Sequence, residues 1–139
     1  VRERLKIVNR GVWTGSVLVV WAVSVGAVCY YSLIPQLELP IDFWNADKLY
    51  HFAAYAWLGL LPMIGFRTRR VAVFAALSML ILGTLLEVVQ SHIPGRDLSM
   101  LDALANSLGV VAGVASGNSL RPRLRGILLP ADCQKATRR

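Results

Sequence analysis

The hydrophobic pattern along the chain is dominated by four apolar stretches, separated by short segments where the charges and turn residues collect. A helix needs about 20 mainly apolar residues to cross a hydrocarbon core of about 30 Å, and all four stretches reach that length. The first, Val12 to Leu33, carries no charge and ends just before Pro35. The second runs from about Asp47 to Phe66, with its charges confined to the first turn. Pro62 lies near its far end, where neighbouring helices can re-satisfy the backbone it frees. The third, Val71 to about Gln90, is uncharged until Glu87, and the fourth, from about Leu98 to Gly117, sets Asp102 and Asn106 among alanine, valine and glycine. The expected fold is therefore all-α: a polytopic four-transmembrane-helix bundle over residues 12–117. A basic N-terminus, 1–11, precedes it, and a basic, partly disordered tail, 118–139, carries no fold signal of its own.

Composition agrees with that pattern and charge orients it. Hydrophobic residues make up 55% of the 139 positions, and the mean hydropathy of +0.53 is too high for a water-soluble core of this size. The net charge of +7 would suit nucleic acid if the basic residues formed a stripe, but they fall between the apolar runs. One side of the bundle receives Arg2, Arg4, Lys6, Arg10, Arg67, Arg69, Arg70, Arg121, Arg123, Arg125, Lys135, Arg138 and Arg139; the other receives only Lys48 and Arg96. Lysine and arginine resist translocation, so thirteen against two places both termini in the cytoplasm. Nucleic acid is excluded as a partner, and the Arg121, Arg123, Arg125 cluster is expected to meet anionic inner-leaflet lipid. Tyr30, Tyr31, Trp44 and Tyr50 then fall at the outer interface, where amphipathic rings favour the headgroup layer. Cys29 and Cys133 fall on opposite sides of the membrane, so no disulfide is expected. The first stretch exceeds a signal-peptide core of about 7 to 15 residues and reads as a retained helix.

The remaining polar residues sort by depth and converge on the outer end. Asp47, His51 and Tyr55 recur every four residues and share one face of the second helix, with Lys48 at the mouth. Glu87 and Gln90 stand three apart near the end of the third. The loop from Ser91 to Ser99 adds His92, Arg96 and Asp97, and Asp102 and Asn106 are four apart on the fourth helix. Ionisable groups in a span cost about 2.5 to 3.5 kcal/mol on insertion scales, so His51, Glu87, Asp102 and Asn106 are expected to face one another. Ala105, Gly109, Gly113 and Gly117 form a small-residue face that allows another backbone close approach. These residues either hold four helices in register or form a site; the shared outer depth of acids, amides, histidine and arginine favours a site.

The same residues carry a resemblance. Asp47-Lys48-Leu49-Tyr50-His51-Phe52-Ala53-Ala54-Tyr55, then Glu87-Val88-Val89-Gln90, then Arg96-Asp97-Leu98-Ser99 with Asp102, Asn106 and Gly109, resemble the pattern of the VanZ-like family. There a DK-x-x-HF-x-x-Y segment opens one helix, E-x-x-Q closes the next, and R-x-x-S/D-x-x-D-x-x-x-N-x-x-G enters the last. The match covers about residues 45 to 117. It implies a multi-pass protein of the bacterial inner membrane in a cell-envelope setting, and it supplies no reaction.

Three functions follow. The outer pocket could bind or present an anionic lipid or lipid-linked glycan headgroup, with Arg96 gripping phosphate and Lys48 as a point charge. Its ligand-binding residues would be Asp47, Lys48, His51, Tyr55, Glu87, Gln90, Arg96, Asp97, Asp102 and Asn106. Because the carboxylates outnumber the cations there, a divalent metal or protonated acids would be needed to relieve the conflict. A hydrolase or transferase could use His51 as base with Glu87 or Asp102 as acid or metal ligand. The chain lacks H-E-x-x-H, G-x-S-x-G, paired cysteines and a phosphate-cradling glycine loop, so no metal and no cofactor is assigned from sequence. Third, the chain could be a non-catalytic accessory subunit that docks other membrane proteins through the Gly109/Gly113 face and helix one.

Overall fold

The computed structural model describes residues 2–34, 46–93 and 99–128, with the side chains of 2–10, 125, 127 and 128 excepted. Among the described residues the secondary structure is all helical: α1 (Arg2–Leu33), α2 (Ala46–Gly65), α3 (Arg69–Gln90) and α4 (Met100–Leu128). Three segments are long and apolar enough to cross a membrane, Gly11–Leu33, Arg69–Gln90 and Met100–Leu124. At 1.5 Å per residue α2 is also about 30 Å long, but Lys48, Tyr50, His51 and Tyr55 lower its hydropathy.

Side-chain burial explains why that is tolerated. Helix α2 packs against all three others, chiefly α4, and its surface is the most covered. The outer helices show the reverse of a water-soluble pattern. Phe74 is 72% exposed, Val23 67% and Ile81 65%, whereas Glu87, Gln90, Asn106 and Arg121 are buried. Contiguous apolar surface outside with polar groups inside is stable only where the solvent is itself apolar. The fold is that of a helical membrane protein.

The packing contacts fix the helix directions. Val17 lies against Gly65, Trp21 against Leu58, and Tyr55 over Gly83, so α1 and α3 run opposite to α2. Helix α4 runs parallel to α2, because Gly109, Gly113 and Gly117 meet in turn Phe52, Ala56 and Leu60, advancing four residues per contact on both helices. A Cβ on Gly109 or Gly113 would clash with the carbonyl oxygens of Phe52 or Ala56, and one on Gly117 would lie 2.5 Å from the Cβ of Met63. Gly59 returns the fit, with the Val110 carbonyl 2.8 Å from its would-be Cβ. The glycine face, read from sequence as one that admits another backbone closely, thus packs on α2 of this chain. On α3 the buried positions Ala72, Ala76, Met79, Gly83, Leu86 and Gln90 follow an alternating four- and three-residue spacing, with Glu87 beside Leu86, a single seam.

Two helices are longer than expected. Helix α1 begins at Arg2 rather than Val12, and α4 continues to Leu128 through residues 118–128, which the sequence suggested as part of a structureless tail. Lysine and arginine are good helix formers, so a charge run marks the edge of the bilayer and does not end a helix. Arg121 pins the extension. Its guanidinium donates to the carbonyls of Met63 (2.8 Å), Phe66 (2.8 Å) and Arg67 (2.7 Å), capping the C-terminal end of α2. Cys133 and Trp44 lie outside the described residues.

Pro62 has a specific partner as well. Lacking an N–H, it leaves the Leu58 carbonyl without its helical donor, and the Trp21 indole N–H of α1 donates to that carbonyl at 3.0 Å. Trp21→Phe should therefore lower stability by about 1–2 kcal/mol. In a Pro62→Ala background, where the backbone N–H returns, the same change should cost close to nothing. Thermal unfolding of the four proteins in one detergent checks this; an equal cost in both backgrounds would refute the assignment.

Candidate functional site

The end of α1, the start of α2, the end of α3 and the start of α4 gather at one end of the bundle, and each brings a polar group there. Ser99 caps α4, its hydroxyl accepting from the Asp102 N–H at 3.2 Å, which sets Asp102 in the first turn. Asp102 and Asn106, one turn apart, therefore face α2 in line with the glycine seam. On α2, Asp47 and Lys48 form an ion pair of 2.6 Å at the entrance, and the Lys48 ammonium is also 3.3 Å from Asp102 Oδ1.

Below that entrance lies His51. Its Nδ1 is 3.0 Å from Asn106 Oδ1, and its Nε2 is 4.0 Å from Asp102 Oδ2. An amide oxygen only accepts, so with it turned to the ring Nδ1 donates to Asn106, and Nε2 is the nitrogen directed toward Asp102. Glu87 comes from the last turn of α3 and is 4% exposed. One ligand atom from each of His51, Glu87 and Asp102 lies within 4.8 Å of the others. Asp102 Oδ1 is buried and has no hydrogen bond, only the Lys48 ion pair.

Of the residues expected at this site, Asp47, Lys48, His51, Glu87, Asp102 and Asn106 come together. Tyr55 lies one turn deeper and belongs to the core, its phenol ring packed on Gly83 where no larger residue would fit. Gln90 is buried and donates to the Ser32 carbonyl at 2.8 Å, tying the end of α3 to the end of α1. Arg96 and Asp97 lie outside the described residues, so the second outer cation and its neighbouring acid have no position here. His92 is exposed, and its Nδ1 pairs with the Val88 carbonyl at 2.8 Å.

Tyr30 and Tyr31 stand exposed near the same end with rings 5.4 Å apart, edge to face. Two anchors were not singled out from sequence. Arg121 was counted only as a flanking charge, although it follows Gly109, Gly113 and Gly117 at the same four-residue interval. The Trp21 partnership was signalled by Pro62 alone. No known protein family, curated protein or solved structure matches this chain.

Proposed function

We propose that this chain is a four-span protein of the bacterial inner membrane, of the VanZ-like kind, that binds an anionic lipid or lipid-linked glycan headgroup at the outer leaflet. Three spans are the apolar helices; α2 is the fourth, its polar face shielded by its neighbours. Arg67, Arg69, Arg70, Arg121 and Arg123 lie at the end away from the polar cluster, which argues that this end faces the cytoplasm, together with both termini. The observation that supports the headgroup reading is the position of Lys48, a partly exposed cation in the first turn of α2 at the entrance to a buried set of hydrogen-bonding groups.

The test uses the purified chain in nanodiscs of phosphatidylcholine with and without phosphatidylglycerol. The wild type should gain thermal stability as phosphatidylglycerol is added. Lys48→Met should weaken that response about fivefold, the equivalent of about 1 kcal/mol for one basic residue at a membrane surface. Equal stability in both lipids, or an unchanged response in the variant, would contradict the reading.

A second reading, a small accessory subunit, is favoured by one observation. Helix α1 is the least covered of the three apolar helices, with Val12, Val19, Val20 and Val23 exposed. Since Gly109 and Gly113 are already packed on α2, a partner helix would meet the chain through α1.

A further inference from the structure

We infer that His51, Glu87 and Asp102 form a site for one divalent transition-metal ion, zinc or manganese in class, at the polar end of the bundle. The inference that this ion receives a phosphate oxygen of the headgroup rests on the function proposed above; the metal site itself does not. Three helices each contribute one ligand residue, and the three ligand atoms already lie within 4.8 Å of one another. Ligands on a common zinc ion, bound at about 2.0–2.2 Å, stand about 3.3 Å apart in tetrahedral geometry. The widest edge therefore closes by about 1.5 Å, within reach of side-chain rotation alone.

Three further features point to a cation. First, with Nδ1 donating to Asn106, the nitrogen directed toward Asp102 is Nε2, the one that bears the lone pair in a neutral ring. Metal-binding histidines are held in this way by an acceptor on their other nitrogen. Second, Asp102 Oδ1 is buried, accepts no hydrogen bond and meets only the Lys48 ammonium, at 3.3 Å. Third, two carboxylates, those of Glu87 and Asp102, stand beside the imidazole. Glu87 sits in the last turn of α3, where the helix dipole disfavours an anion.

The donor set selects the class of ion. One imidazole nitrogen and two carboxylates suit zinc or manganese, whereas calcium takes six to eight oxygens. Three protein ligands leave a coordination position for water or a phosphate oxygen. The ion would add positive charge beside Lys48 and so favour an anionic ligand at the open position.

The test is zinc titration of the chelator-treated, purified chain by calorimetry, with elemental analysis of the recovered protein. The wild type should bind one zinc per chain. Glu87→Gln, nearly isosteric, and His51→Ala should each weaken binding at least tenfold, with helix content and thermal unfolding verifying that each variant is folded. Asn106→Ala, which removes only the group positioning the imidazole, should weaken it about tenfold, in the range found for such supporting partners. His92→Ala should leave binding unchanged. No stoichiometric zinc or manganese, wild-type binding in Glu87→Gln, or loss of binding only in His92→Ala would each overturn the metal site. Titration of phosphatidylglycerol in nanodiscs separates the two ideas. A lipid preference that persists in a chain that binds no metal leaves the headgroup reading standing without the ion. One zinc per chain with no lipid preference leaves the ion without the headgroup.

Discussion

Gly113→Leu should yield no folded bundle. The position lies midway along the seam where α4 meets the backbone of α2, and even a Cβ would run into the Ala56 carbonyl oxygen and lie 2.8 Å from the Leu60 nitrogen. Both obstacles are helix backbone, so no side-chain rotation makes room, and a leucine would force the two helices apart. Parting them would also strain the His51 to Asn106 contact at one end and the Arg121 cap at the other. Overpacking commonly costs about 1–3 kcal/mol, and a backbone clash between two spans belongs at or above the top of that range. Size-exclusion profiles and thermal unfolding in detergent should show aggregation or loss of the cooperative transition. By contrast, Gly26→Leu on α1, where a Cβ would meet nothing within 4 Å, should behave as wild type. A folded Gly113→Leu protein of wild-type stability would mean that α2 and α4 do not meet along this seam.

Arg121→Ala should be the next most damaging change. It removes charged donors from three carbonyls at the end of α2, where a helix has no donors of its own. Hydrogen bonds to charged groups contribute about 1.5–3 kcal/mol each, but water at the membrane edge can replace part of this, so a total loss on the order of 3 kcal/mol is expected. Arg121→Lys should recover only a part, because one ammonium cannot reproduce the planar fork that spans the three acceptors. Chemical unfolding in mixed micelles measures both variants. If lysine or alanine matched wild type, Arg121 would be a flanking charge and nothing more.

These two positions also show how far the sequence could be read. The every-four recurrence of Gly109, Gly113 and Gly117 announces a close helix contact, but periodicity does not name the partner, which proves to be α2 of the same chain. Arg121 continues that recurrence, yet an arginine just beyond an apolar run normally faces water, and only the carbonyls left at the end of α2 explain its burial. Helix ends were hidden for a related reason. Arg2 through Arg10 and Asn118 through Leu128 carry the polarity of a flank while remaining compatible with helix, so the edge of the bilayer and the edge of the helix differ. The gathering of His51, Glu87, Asp102 and Asn106 was legible, because polar groups within apolar runs must find partners, and successive spans bring the start of α2, the end of α3 and the start of α4 to one end. Gln90 belonged to the same pattern, but its partner is the Ser32 carbonyl, a backbone group that no pattern of side chains reveals.

The most direct test of the headgroup reading is native mass spectrometry of the chain extracted gently from its own membrane, comparing wild type with a His51→Ala, Glu87→Gln double variant. The account predicts an anionic lipid adduct on the wild-type chain that is absent from the folded double variant. A lipid complement identical in the two proteins would contradict it.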